Sequence, residues 1–329
     1  MQANTRTDLI IEGEAELKFL EVLAGTRVRM DRVSLDGLED PAFDLLDAKL
    51  YKPEFSHSGK IPRGCNALAD FSISRGCPIG CTFCTSTKMW GTKIRAFSAE
   101  RVRGQLRKLR EQGFDHVSVE DDQVLMIPKD SLNAMIGELG KQGFGWDIDA
   151  GIYYPLIQRK QEFFSMAAAN GCHRVFLPIE HPAIDLIHGE HKYKNLRTQE
   201  EIKKAIEAAC EILRRKGIEF YVAIMVGFKQ ENEKTLKVVR EYAKFVIEKG
   251  AAWVSFFYPK PLPGTVDYKN YSSVPKERGW EVAPEYWAFS TPVLKPDTMN
   301  LDELAHAVNS ISLEVNGFEN KLVNMQGEA

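Results

Sequence analysis

The chain has 329 residues, with 43 Lys and Arg against 46 Asp and Glu, giving a formal net charge of −3. Hydrophobic residues make up 44% and charged residues 27%, which excludes bulk disorder, collagen-like repeats and coiled coil. The near-balance of charge gives no general field for gripping nucleic acid, and no apolar run approaches the ~18 residues a membrane span needs. Asp8, Glu12, Glu14 and Glu16 make the N-terminal stretch acidic, unlike a signal peptide. The expectation is a cytoplasmic protein with no nucleic-acid partner and no membrane span. Six cysteines in so long a chain are no disulfide framework. Cys77, Cys81 and Cys84 fall within eight residues while Cys65, Cys172 and Cys210 are scattered, which points to one metal site.

In chain order, Phe71 to Ser74 alternates apolar and polar residues as a strand leading into the cysteine loop. A helix capped by Ser98 follows, with Val102, Leu106 and Leu109 on one face. His116 to Val119 reads as a second strand, ending in Glu120-Asp121-Asp122. The next helix takes Asp130 as its cap and gathers Leu132, Met135, Ile136 and Leu139. Trp146 to Ala150 is a third strand, then a helix runs through Phe163, Phe164 and Met166 to stop near Gly171. Arg174 to Ile179 is a fourth strand, whose Pro178 implies a bulge or an end position. Thr198 and Glu201 form a capping box for a helix with Ile202, Ala205, Ala209, Ile212 and Leu213 buried, ended by Gly217. Phe220 to Val226 is a continuous apolar strand, as a sheet covered on both faces requires. A helix with Leu236, Val239, Ala243 and Val246 leads to a sixth strand, Trp253 to Tyr258. A last helix is capped by Asn300 with Glu303 in place. Strand–helix alternation of this kind predicts an α/β fold with a parallel sheet and right-handed crossovers. A partial or full TIM-like barrel results, with its active site at the C-terminal strand ends.

Cys77-Pro78-Ile79-Gly80-Cys81-Thr82-Phe83-Cys84 is a C-x3-C-x2-C loop directly after the first strand. Three thiolates this close can hold three corners of a cubane iron–sulfur cluster, whose usual complement is four cysteines. The missing fourth ligand leaves one iron open to an exogenous chelator. Gly76 and Gly80 let the loop bend tightly. Zinc is the weaker alternative, because no second Cys or His pair follows at finger spacing.

The stretch from Ser74 to Cys84 resembles the signature of the radical S-adenosylmethionine (SAM) superfamily, and within it the subgroup that often carries a cobalamin-binding domain. Further segments resemble that group in order: Glu120 to Gln123, Ala169 to Cys172 with Leu177 to Glu180, Gly227 to Glu231, and Pro261 to Thr265. Leu9 to Glu14, with Leu20 and Leu23, is similar to the tail of the cobalamin domain. The chain departs from the group's pattern at Pro178, His181 and Lys229, and none of its seven histidines sits in the D-x-H-x-x-G context that ligates cobalamin. Only the tail of such a domain fits ahead of residue 41, so cobalamin is expected to be unlikely. The implied fold is a partial (β/α)6 barrel of the radical SAM type. Residues 1–68 form an N-terminal extension, 69–265 the barrel and 266–329 a C-terminal substrate-capping region.

By this resemblance Cys77, Cys81 and Cys84 ligate a [4Fe-4S] cluster, and SAM binds its open iron. Reductive cleavage of SAM then gives a 5′-deoxyadenosyl radical that takes hydrogen from a small-molecule substrate. A flavodoxin- or ferredoxin-type electron donor is the implied partner. Phe83 is a candidate shield for cluster and adenine, or plain core. Glu120 and Asp121 are candidates for the SAM ammonium, or an acidic loop; Glu180 is a candidate for the ribose or amine. Lys194, with Lys192 and Arg197, could meet the SAM carboxylate or be solvated. Asp147, Asp149, Tyr153 and Tyr154 are the candidate substrate residues, with Lys260 nearby in the same strand-end set. His181 and Tyr258 are candidate catalytic groups; a histidine suits proton transfer near neutral pH, a satisfied core histidine being the alternative. The expected setting is biosynthetic, in a pigment, antibiotic or other secondary pathway. Dehydration, decarboxylation, epimerisation or oxidation is the expected outcome. The alternatives are a cobalamin-dependent methyltransferase and a non-catalytic iron–sulfur electron-transfer protein.

Overall fold

Apolar residues at every second strand position need a layer of helices to cover them, and the structure supplies it. The computed structural model describes residues 11, 14–25, 34–52, 64–183, 186, 196, 198–270 and 292–317. The elements begin with α1 (Glu16–Leu23), β1 (Leu68–Phe71), β2 (Ser74–Arg75), α2 (Ser86–Trp90), β3 (Arg95–Ala96) and α3 (Ala99–Glu111). They continue with β4 (His116–Val119), α4 (Lys129–Gln142), β5 (Gly145–Ile148), α5 (Gln161–Ala169), β6 (Cys172–Pro178) and α6 (Gln199–Arg215). The last are β7 (Glu219–Met225), α7 (Glu233–Glu248), β8 (Val254–Phe257), α8 (Val266–Asn270) and α9 (Leu301–Asn316). One six-stranded sheet runs β1-β4-β5-β6-β7-β8, every pair parallel, while β2 and β3 form a separate antiparallel hairpin. This is the α/β partial barrel that the strand–helix alternation predicts.

Register divides the sheet into two faces. Phe71, Val119, Ile148, Val175 and Phe220 align across five strands and are all at most 4% exposed. They meet Val102, Leu106 and Leu109 of α3 and the apolar faces of the other helices in one continuous core. Burying each such side chain contributes ~1.5–3 kcal/mol, so this face anchors the fold. The opposite row reads Asp70, Ser118, Asp147, Arg174 and Glu219. A polar row on the concave face gives the barrel a polar lumen.

The capping boxes expected at Thr198 and Asn300 are present, and Asn232 forms another at α7. At α4 the expectation fails by two residues. Pro128 takes the cap position in extended backbone and Asp130 lies in the first turn, where its charge favours the positive helix end. Pro178 occupies the last position of β6, opposite Ala223, and the sheet irregularity falls between Trp146 and Asp147 instead.

The segments outside the barrel are bound to it. Asp36 accepts from Ser98 N at 2.8 Å, and Asp40 accepts from Gln105 Nε2 at 2.9 Å, laying residues 34–45 along α3. At the other edge α9 packs Leu304, Val308 and Ile311 inward. Asn316 accepts from Val254 N at 2.9 Å and donates to its carbonyl at 2.8 Å, which satisfies backbone groups on edge strand β8. Among the described residues no helix is long and apolar enough to cross a membrane.

Candidate active site

The cysteine loop leaves the sheet after β1, and local sterics dictate its path. Gly76 has φ +107°, and a Cβ there would lie 2.3 Å from the Lys93 carbonyl oxygen, so only glycine fits. Cys77 N donates to Gly91 O at 3.0 Å, and Cys84 N to Cys81 O at 3.3 Å. The carbonyl of Thr82 accepts from Val266 N at 3.1 Å and Asp267 N at 3.3 Å. Chain following the last strand thus meets the loop that follows the first. Cys77, Cys81 and Cys84 are partly exposed and unbridged, and Phe83 is partly buried among them.

Asp121 supports this loop from beneath. Its carboxyl is 1% exposed and accepts from Ser74 Oγ at 2.5 Å, and from Ile73 N at 3.1 and 3.2 Å to its two oxygens. Burial pushes it up to about 7, against the pull of those bonds. The carboxylate expected to meet SAM is therefore turned into the root of the cysteine loop, because Asp121 lies on the helix-facing side of the strand. Glu120, one residue earlier and half-buried, takes the lumen side with Ser118, which donates to it at 2.6 Å.

Among the described residues no three His, Cys, Asp or Glu side chains converge on a single ion. Three thiols carried by one open loop fit a polynuclear iron–sulfur cluster better than one metal ion. The other cysteines stand apart. Cys65 feels the charges of Asp115 and Asp147 at the start of the strands, and burial first, then those charges, raise it to about 11. Cys172 and Cys210 are buried.

Beneath the loop, Asp147 is 2% exposed, and one of its oxygens meets Arg174 Nη2 at 3.0 Å and His116 Nε2 at 3.2 Å. Its other oxygen is buried without a hydrogen-bond partner among the described residues. Asp149 sits one layer higher, accepting from Tyr221 Oη and Ser118 Oγ, each at 3.2 Å. Ser118 has a single hydroxyl proton between Asp149 and Glu120, so the trio is fully bonded only when one carboxyl is protonated. Burial, then the charge of Asp147, raises Asp149. Phe176, Tyr221 and Trp253 stack at centroid spacings of 4.7 and 4.6 Å and wall the same space. Tyr153 is 5% exposed and near enough to Cys81 to feel its charge, while Tyr154 is buried at 1%. Burial lowers Lys260 to about 7.

Glu180 is the one non-glycine with positive φ among the described residues, at +55°, and it is 7% exposed just beyond β6. Strain of this kind at a strand end persists where the surroundings impose it, and such residues gather at functional sites.

Two catalytic candidates are buried. His181 is fully buried; its Nδ1 accepts from Ala183 N at 3.0 Å, so Nε2 carries the hydrogen and donates to Glu231 at 3.1 Å. Glu231 also accepts from Gly227 N at 2.7 Å and from Thr235 Oγ1. Burial opposes its charge, but these bonds together hold it below the ordinary carboxylate range. With both ring nitrogens engaged, His181 ties β6 to the turn after β7. Tyr258 lies in the hydrophobic core, where a Cβ on Gly227 would meet its ring at 3.0 Å. Burial drives its phenol up. Lys194, with Lys192 and Arg197, lies outside the described residues.

Glu231, Arg174, His116, Ser118 and Tyr221 were not among the sequence candidates. Ser118 was detectable as a polar residue on the concave face of a strand, two positions before Glu120; Arg174 meets Asp147 only through the strand register. The pairing of His181 with Glu231, 50 residues apart, has no sequence signal.

A sequence profile of the radical SAM superfamily matches residues 71–243, more than half of the chain. The chain belongs to the radical SAM superfamily. Membership brings a [4Fe-4S] cluster and SAM as the family's cofactors, and enzyme chemistry with them. The chain is 23% identical over 239 residues to bacteriochlorophyllide d C-12(1)-methyltransferase of Chlorobaculum tepidum, covering 71% of this chain and 50% of that protein. It is 26% identical over 339 residues to hopanoid C-3 methylase of Methylococcus capsulatus, covering 97% of this chain and 57% of that protein. The chain spans about half the length of these curated relatives. TsrM, a radical SAM methyltransferase from Kitasatospora setae solved with cobalamin and a [4Fe-4S] cluster, shares the fold. Its TM-score is 0.51 at 19% identity, over 64% of this chain and 37% of that one. The expectation that cobalamin is unlikely gains no support from such a neighbour.

Proposed function

We propose that Cys77, Cys81 and Cys84 hold a [4Fe-4S] cluster with one iron left for SAM, above a lumen that receives a small organic substrate. The observation that carries this reading is the three-thiol loop beyond the C-terminal end of β1, with Tyr153 near enough to Cys81 to feel its charge. When bound, the cluster supplies one electron from an external flavodoxin- or ferredoxin-type donor, cleaving SAM to methionine and a 5′-deoxyadenosyl radical that takes a hydrogen atom from substrate. Glu120 and Glu180, both at strand ends, accept bonds from the SAM ammonium or ribose; Phe83 covers the cluster. Asp149 binds substrate, and the Phe176–Tyr221–Trp253 stack excludes water beside it. Tyr153 lies near Cys81.

Methyl transfer is the outcome we favour, with a second SAM as methyl donor leaving as S-adenosylhomocysteine and a second electron from the external donor, because the relatives include a methyltransferase and a methylase. Dehydration, decarboxylation, epimerisation and oxidation have no such support. Anaerobic reconstitution with iron and sulfide, then dithionite and SAM, is the test. Release of 5′-deoxyadenosine and methionine is expected, and Cys81→Ala should lower both bound iron and SAM cleavage by at least ~10-fold. Intact SAM beside a reduced cluster would leave an electron-transfer module, and zinc without iron would overturn the reading. Retention of hydroxocobalamin through gel filtration separates a cobalamin-dependent methyltransferase from a cobalamin-free one.

A further inference from the structure

The cysteine loop springs from the β2–β3 hairpin, and that hairpin carries an electrostatic conflict. Arg75 and Arg95 face one another in register, and like charges opposed in an antiparallel pair destabilise it. Both are largely withdrawn from water, with side-chain exposures of 22% and 18%. Glu14, 5% exposed, meets both: Oε2 accepts from Arg75 Nη1 at 3.4 Å and Arg95 Nη1 at 3.1 Å, and Oε1 accepts from Arg95 Nη2. Arg75 also lies over the Trp90 ring at 4.6 Å, beside the Gly91 carbonyl that receives Cys77 N. A buried carboxylate is costly unless paired, and Glu14 is the buried carboxylate that bridges both opposed cations. The residues joined are 61 and 81 positions apart in the chain.

We propose that Glu14 is a positioning residue for the cluster loop: the segment ahead of α1 supplies the counter-charge that lets the hairpin hold Cys77 in place. This rests on the reading of the loop as a cluster site. Glu16 also reaches Arg75 but is 41% exposed, and exposed pairs contribute little, so it serves as the comparison.

The full chain and its Glu14→Gln, Glu16→Gln, Arg95→Gln and Glu14→Gln/Arg95→Gln variants are reconstituted with iron and sulfide. Each is then challenged with the chelator bathophenanthroline. Glu14→Gln should lose iron roughly 10-fold faster, the factor expected when a charge-assisted bond is removed. Glu16→Gln should stay within about twofold of wild type. The double variant should recover most of the loss, because one guanidinium no longer opposes another. Iron release from Glu14→Gln at the wild-type rate overturns the proposal, and so does a double variant as leaky as the single. Iodoacetamide labelling of Cys77 in the metal-free chain provides a second reading. Labelling should be faster in Glu14→Gln, and equal rates count against the proposal. A wild type that binds no iron refutes the cluster reading, while the labelling rates still decide the role of Glu14. Should Glu14→Gln fail to fold, Glu14→Asp keeps the charge on a shorter stem and should fall between wild type and full loss; a wild-type rate there and in the labelling overturns the proposal.

Discussion

Glu231 and Asp149 are both buried carboxyls, yet their surroundings move them in opposite directions. His181, Thr235 and Gly227 hold Glu231 below the usual carboxylate value of 4.5. Its contribution is therefore full above 4.5 and is lost as the pH falls from there through the folded-state value. Asp149 is raised above 3.8, so its contribution is full at low pH and is lost as the pH climbs through the raised value. Denaturant midpoints measured from pH 3 to pH 8 should separate the two. Glu231→Gln should lower the unfolding free energy at pH 7 by about 1–3 kcal/mol, as for a buried group left unsatisfied, and flatten the acid limb. Asp149→Asn should flatten the opposite limb, with its midpoint rising relative to wild type as the pH increases. An unchanged acid limb in Glu231→Gln would mean that His181 does not depend on it.

At the scale of elements, the cysteine loop is held by backbone geometry as much as by side chains. Gly76 combines φ +107° with a 2.3 Å approach to the Lys93 carbonyl, so Gly76→Ala forces either the loop or the strand β3 end to move. The long helices and the six-stranded sheet do not depend on that contact. Gly76→Ala should therefore take up less than half of the wild-type iron on reconstitution, roughly the effect of ~1–2 kcal/mol of local strain. Its thermal midpoint should stay within a few degrees of wild type. A full iron complement would show that the loop has slack. The capping boxes at α6, α7 and α9 act independently of the site, each satisfying helix-end N–H groups that no strand can reach.

Across the whole molecule, the sheet joins an apolar outer face to a charged inner one. The row Asp70, Ser118, Asp147, Arg174 and Glu219 crosses five strands at one level. Arg174 is central to it, since Asp147 is 2% exposed and has His116 as its other side-chain partner. Arg174→Met keeps the volume and removes the charge. It should cost ~3–5 kcal/mol in chemical denaturation, the range for a buried pair broken on one side. Arg174→Met with Asp147→Leu should recover much of that loss, because no charge is then left unpaired. No recovery would assign the cost to packing.

The sequence by itself determined the order of most elements, the parallel α/β architecture, the three-thiol loop and the family it implies; the first strand, read as Phe71 to Ser74, lies at Leu68–Phe71. These are local properties, because hydrophobic period, capping residues and cysteine spacing act over a few neighbouring positions. Strand His116–Val119 and the capping boxes at Thr198 and Asn300 were readable to the residue for that reason. Only the tertiary structure decided which side of a strand end each carboxylate faces. The pleat sends Glu120 to the lumen and Asp121 to the root of the loop, although they are neighbours in sequence. Tertiary structure alone also joined His181 to Glu231 and Glu14 to the Arg75–Arg95 pair. Pairings at such separation depend on where folding brings the chain back on itself, and no local pattern records that.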